Sequence, residues 1–359
     1  MLLSRLLRFS SFIVVLVIAS SSPLYGADFV RVGMLGFDNY QGVAYAQLFN
    51  NPKVEGDLTG LRVTAVYPVG SDDYPVSKTL ADRWVNQLSG MYQKPKDPKD
   101  FVPAPEIVNS IDELLKKVDV VLMAGLDGRL HLSQATPVLK AGKRLFIARP
   151  LAASPADAIA ILQLAAATKT PCWSSSQHRY SPGFSGMRDH AEVGKVIGCD
   201  VYGGYDLKGA LADNFIRPLH SIETLYTIMG PGCTTVACAS TPTAEIYTMT
   251  WKDGRAATYR GIKLGTVKYS ATVFGDKGVS TAGIYGHGIP VQGVVPTKDK
   301  YMGYEGIAIE IAKFFKGGPT PVDPSETIEI YSLMQAADES RAQNGAVVHV
   351  RNLWQDAAK

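Results

Sequence analysis

The chain is predicted to be α/β: an N-terminal doubly wound parallel sheet followed by an α+β domain with a large, mostly antiparallel sheet. Three observations carry this. From Val30 to Ser175 short apolar strands alternate with amphipathic helices, the pattern of a parallel sheet fed by crossover helices. After about Pro182 the pattern changes to strand-like runs joined by glycine or Asp-Gly turns such as Lys252-Asp253-Gly254, as in antiparallel hairpins. The third is the segment His131–Pro150, HLSQATPVLKAGKRLFIARP. Leu132, Ala135, Val138 and Leu139 keep helical spacing, Gly142 follows the last of them, Leu145-Phe146-Ile147 form a buried strand, and Pro150 stops it. In such a sheet ligands bind outside the carboxyl ends of the strands, and the residue at that mouth is Arg149.

In chain order, Val30–Leu35 is a strand, Val43–Phe49 a helix, Leu61–Val66 a strand and Val76–Leu88 a helix. The Pro- and Lys-rich stretch Tyr92–Pro105 is an exposed loop. Ile107-Val108 is a short strand, Ser110–Lys117 a helix and Val118–Met123 a strand; the segment described above follows, then helix Ala156–Ala166 and strand Cys172–Ser175. In the second domain, strands are expected at Val193–Leu207, Thr234–Ser240, Glu245–Trp251, Ala256–Ile262, Thr266–Phe274 and Gly278–Tyr285. Helices are expected at Leu219–Met229, Glu305–Lys316 and Thr327–Ala342, the last opened by Pro324, Ser325 and Glu326. The expected divisions are 1–27, 28–182 and 183–359, with helix 327–342 packing back on the first domain.

Residues 1–27 read as a secretory signal peptide. Arg5 and Arg8 form a basic start, Phe12 to Ala19 an apolar core, Ser20-Ser21-Ser22-Pro23 a break, and Gly26-Ala27 a cleavage point. The apolar run is shorter than the about 20 residues that span a bilayer. A periplasmic or secreted mature chain is therefore expected, with no stable membrane anchor after cleavage. Setting Arg5 and Arg8 aside, 36 basic residues become 34, against 33 acidic ones. That balance gives no electrostatic reason to expect nucleic acid. Cys172, Cys199, Cys233 and Cys238 form no Cys-x-x-Cys and have no histidine at metal spacing, so they are expected as buried thiols with at most one bridge and no metal.

Strand Val30–Leu35, which contains Gly33, runs into Gly36-Phe37-Asp38-Asn39-Tyr40-Gln41. In the spacing Gly-x-Gly-x-x-Gly that cradles a dinucleotide pyrophosphate, only Gly36 is in register; Asp38 and Gln41 hold the other two positions. Two readings stay open. The loop takes a pyrophosphate at the helix N-terminus, or Asp38 caps that helix itself and Gln41 completes a capping box. No Gly-x-Ser-x-Gly elbow is present, and Ser174-Ser175-Ser176 has no ordered His/Asp partner in the sequence.

HLSQATPVLKAGKRLF and HSIETLYTIMG (His220–Gly230) resemble the glucose–fructose oxidoreductase / inositol dehydrogenase (Gfo/Idh/MocA) family. FDNYQGVAYAQLFNNP looks like a variant of its glycine loop. The resemblance spans nearly the whole mature chain and implies a Rossmann-like first domain, an NAD or NADP cofactor and hydride transfer to or from a sugar, cyclitol or derivative. It implies cofactor contacts from Gly33, Gly36, Asp38, Gln41, His131 and Arg149. It implies that His220 opens a helix at the reacting carbon and carries the hydroxyl proton, work suited to a reference pKa of about 6.5. Glu223, one turn on, would orient that ring, and Asp213 could reach the site. Where the family has a lysine, this chain has Arg149, whose guanidinium stays protonated and would hold substrate. Arg179 and Tyr180, after the last strand of the first domain, would contact substrate with His220, and Tyr285 and His287 would line the second sheet. The competing expectation is a catalytically inactive carbohydrate-binding protein on the same fold. A homo-oligomer paired through the C-terminal sheet is also expected. For His220 and Arg149 the plain alternatives are a helix-start cap and a structural ion pair.

Overall fold

The structure is a computed structural model and describes residues 29–74, 76–91, 93–205, 218–265, 269–283 and 303–357. The predicted signal peptide, Asp213, Tyr285 and His287 lie outside them.

The first half contains β1 (Val30–Leu35), α1 (Tyr40–Phe49), β2 (Leu61–Tyr67), α2 (Ser77–Gly90), β3 (Glu106–Ile107), α3 (Ile111–Lys117), β4 (Val120–Met123), α4 (His131–Lys140), β5 (Leu145–Ala148), α5 (Pro155–Ala167), β6 (Cys172–Ser175) and α6 (Pro182–Ser185). Its strands make a six-stranded sheet in the order β3-β2-β1-β4-β5-β6, every pair parallel. The order reverses between β1 and β4, so a crevice opens there at the strands' carboxyl ends. Successive side chains alternate faces. Val121, Met123, Leu145 and Ile147 enter one core with α4 and α5, while Val120, Leu122 and Phe146 enter another.

The second half contains β7 (Val196–Gly204), α7 (Pro218–Met229), β8 (Cys233–Ser240), β9 (Ala244–Trp251), β10 (Ala256–Ile262), β11 (Ser270–Gly275), β12 (Val279–Gly283), α8 (Glu305–Phe315), α9 (Pro324–Ala342), β13 (Val348–His349) and α10 (Leu353–Asp356). Seven strands form the sheet β12-β11-β7-β10-β9-β8-β13, antiparallel except for β7 with β10. One face is covered by α7 and α9. On the other, Tyr202, Thr248, Thr250 and Arg260 are exposed.

The last two long helices reach back to the first sheet. α9 packs against α5 and β6 as well as β8, and the core it joins runs without interruption from Ile147 and Ile161 to Val236 and Met249. Ile307, Ile311, Phe314 and Phe315 of α8 cover the opposite face of the first sheet, against Phe146 and Trp173.

Several element ends differ from the expectation for local reasons. α1 begins three residues early because Asn39, not a later residue, caps it. β4 begins at Val120 because the Asp119 carboxylate takes the backbone N–H and the guanidinium of Arg31. β7 is shorter than expected, since Val193 and Gly194 turn back onto His190. The short elements α6, β13 and α10 carry too little periodicity to be seen in the sequence. All four cysteines are buried free thiols; burial pushes Cys172, Cys233 and Cys238 up to about 12, so they stay protonated.

Candidate active site

Two polar clusters stand at the carboxyl end of the first sheet. The first lies at the crevice between β1 and β4. Gly36 follows β1 at φ +78°, a left-handed conformation that a side chain resists. A Cβ there would come within 2.6 Å of Gly125 N, so the strand-end loops meet through bare backbone. Asp38 does not cap α1. Its carboxylate is buried at 1% exposure, accepting from Ser77 Oγ at 2.6 Å and Leu126 N at 2.9 Å; burial raises its pKa. Asn39 is the cap, its Oδ1 accepting from Gln41 N at 2.7 Å while Nδ2 donates to Ala124 O. Gln41 therefore completes no capping box, and its side chain is buried.

Gly33 makes room for packing: a Cβ would press on Val118 and Leu114, away from any ligand. Gly42, one position late for the fingerprint, lies against the Phe37 ring and supplies the close approach expected of the third glycine. His131 is fully buried. Its Nδ1 faces Pro150 O at 2.9 Å and Leu151 O at 3.2 Å, and its Nε2 faces Gly125 O at 3.2 Å. It ties the loop after β4 to the end of β5, and burial lowers its pKa. Beside it, Asp127 accepts from Ser71 Oγ at 2.6 Å and from Arg129.

The second cluster joins the two halves of the chain. Residues 176–180 leave β6 in a tight helical turn capped by Ser176, whose Oγ accepts from His178 N at 3.1 Å. The same Oγ lies 2.6 Å from Nδ1 of His220, in the first turn of α7. The His178 and His220 rings stack at 4.3 Å, interplanar angle 24°. Tyr269, just before β11, meets both edge-on at 4.6 and 5.6 Å. Burial, with the neighbouring Arg149 cation, holds His178 down at about 3, so it is neutral. Arg149 stands at the tip of β5, one residue past Ala148.

Glu223 does not orient His220. Its Oε2 takes Arg179 Nε at 2.9 Å and Ser175 Oγ at 3.1 Å, and Arg179 Nη1 continues to Glu326 of α9 at 2.6 Å. Arg179 thus forms a buried ionic link between the end of β6, α7 and α9. Tyr180 turns away, edge-on to Trp173 at 6.3 Å and against Gly306 of α8. The structure brings His220 and Arg149 to one place, and adds Ser176, His178 and Tyr269, which the sequence reading did not assign. The available signal was position: Ser176 and His178 directly follow β6 at its carboxyl end. Ser176 has the histidine partner that sequence order did not reveal. Among the described residues no group of His, Cys, Asp and Glu could hold a metal ion, and no helix is long and apolar enough to cross a membrane.

The crevice fits a dinucleotide. The Asp38 carboxylate is turned inward and bonded, so it does not stand where a phosphate would lie. The amides of Phe37 and Asn39 donate to no described residue and remain as donors at the start of α1. The residues that would hold the cofactor are the backbone of Gly36–Asn39 and Gly125.

Residues 30–176 match the profile of the oxidoreductase family with an NAD-binding Rossmann fold (Gfo/Idh/MocA). No curated protein matches in sequence. Among solved structures, GenD2 from gentamicin A biosynthesis, in complex with NAD, shares 18% identity over 91% of this chain and 98% of its own, with a TM-score of 0.67. A putative myo-inositol dehydrogenase from Sinorhizobium meliloti shares 18% over 90% and 100%, TM-score 0.66. Myo-inositol dehydrogenase from Lactobacillus casei, in complex with NAD(H) and myo-inositol, shares 17% over 90% and 97%, TM-score 0.65. At these identities the likeness is one of fold, and it extends over both halves.

Proposed function

We propose that the chain, whose residues 30–176 match the Gfo/Idh/MocA oxidoreductase family, is an NAD(P)-dependent oxidoreductase acting on a CH–OH group of a sugar, cyclitol or derivative. Its N-terminal segment directs it out of the cytoplasm. The observation that carries the reading is the His178 ring at the strand ends beside the crevice, stacked on His220 and lying in the field of the Arg149 cation. The nicotinamide, when bound, supplies the carbon that accepts or donates hydride. His220 is the ring at the reacting oxygen. Arg149 is always charged and serves to hold a hydroxyl or an anionic group. Tyr269 closes the far side of the His178–His220 stack from the second sheet. Polyol substrates suit these groups, and the Lactobacillus casei relative is named for one of them.

The test is a titration of the mature chain with NAD(H) and NADP(H), followed by fluorescence or calorimetry. Binding below millimolar cofactor is expected; none at that concentration would overturn the reading. His220→Ala should lower turnover about 100-fold or more while leaving cofactor affinity within about twofold.

A further inference from the structure

We propose that Ser176 is a positioning residue that fixes the tautomer of His220, so that the ring meets a substrate oxygen as a neutral hydrogen-bond donor through Nε2. In its bearing on substrate the inference rests on the function proposed above; in its bearing on the ring it stands on geometry alone. A serine hydroxyl has one proton to donate and two lone pairs. At Ser176 one lone pair receives His178 N–H at 3.1 Å, and the remaining contact is His220 Nδ1 at 2.6 Å. Ser176 is fully buried, and its Oγ has no other partner among the described residues. If Nδ1 carried the ring proton and donated it to Oγ, the serine O–H would point at nothing in a dry site, which is costly. The one arrangement that satisfies both groups has Ser176 O–H donating to Nδ1. Nδ1 is then the acceptor, and in the neutral ring the proton resides on Nε2.

The surroundings agree. The ring stacks on His178, meets Tyr269 at its edge and Ser176 at Nδ1. His178 is neutral. The nearest carboxylate on the same helix, Glu223, is committed to Arg179 and Ser175. A neutral imidazole fixed this way polarises a carbonyl or holds a hydroxyl by donation, and the proton that balances hydride transfer is exchanged with water. This differs from the proton carrier that family resemblance implied.

The experiment is long-range 1H–15N correlation of histidine side chains in the full chain, without cofactor or substrate. Six histidines are present, and His220→Gln assigns the signal by its loss. The wild-type ring should show an unprotonated Nδ1 and a protonated Nε2 near pH 7.5. A protonated Nδ1, or an even mixture, would overturn the inference. Ser176→Ala should convert the single tautomer into a mixture, and Ser176→Thr, which keeps the hydroxyl, should restore it; an unchanged pattern in Ser176→Ala would also overturn it. Should the alanine variant fail to fold, the wild-type spectrum decides alone. The readout needs no turnover, so a missing cofactor would sink the function and leave the tautomer standing.

Discussion

The two polar clusters at the carboxyl end of the first sheet look alike in composition and differ in what they leave available. At the β1–β4 crevice Asp38, Asn39, Asp127 and His131 all bond to protein groups, mostly backbone amides and carbonyls within the same half. At the β6–α7 junction the bonds run between side chains from different halves: Ser176 to His220, Ser175 and Arg179 to Glu223, Arg179 to Glu326. The first cluster holds loops in place so that bare backbone lines the crevice. The second aligns rings and charges across a boundary. A titratable residue near a ligand mouth is therefore not by that fact a ligand-binding residue; what matters is whether its polar atoms are already bound.

If that contrast is right, breaking the second cluster should cost more than breaking the first. The largest effect is expected at Arg179. Replacing it with methionine leaves the buried Glu223 and the half-buried Glu326 without their cation, and urea unfolding should show a loss of about 3–5 kcal/mol. An unchanged midpoint would mean that the ionic link contributes nothing to joining the halves.

The next effect is one of pH. His178 titrates near 3 in the folded chain against about 6.5 unfolded. The unfolded chain binds the extra proton first as pH falls. Stability is therefore full above about pH 6.5 and declines through the window from 6.5 to 3, by roughly 3–5 kcal/mol at the lower end. Buried His131 adds loss in the same direction. His178→Phe should flatten the decline measured by thermal unfolding between pH 7 and 4; an equally steep decline would remove His178 as its source.

The smallest effects separate the two oxygens of Asp38. Asp38→Ala leaves the partly buried Leu126 N–H without its acceptor, at about 1–3 kcal/mol. Asp38→Asn keeps that acceptor and should cost about 1 kcal/mol or less, with cofactor affinity unchanged. A large gain in affinity on removing the charge would instead show that the carboxylate faces the phosphate space.

The strand and helix alternation, the two-sheet architecture and the location of the ligand mouth were legible because they depend on local periodicity. The roles of polar residues were not, because their partners are distant in the chain. Asp38 and Asn39 are adjacent and both are good caps; only Ser77 and Leu126, 39 and 88 positions away, draw Asp38 off the helix. The Ser176–His220 pair is separated by 44 positions, and Glu223 finds Arg179 at the same separation. His131 resembles a cofactor contact in motif, yet cis-acting carbonyls of residues 19 and 20 positions later claim its ring.

The seat of α8 on the first sheet bears on how the chain comes into being. When residues 30–176 have left the ribosome, Phe146 and Trp173 face water, because Ile311, Phe314 and Phe315 that cover them are still unmade. The other face waits for α9 in the same way. Although it carries its own complete set of strands, the first half cannot close its cores during synthesis as a free-standing early domain would. Its nascent form exposes aromatic surface until the last sixty or so residues arrive.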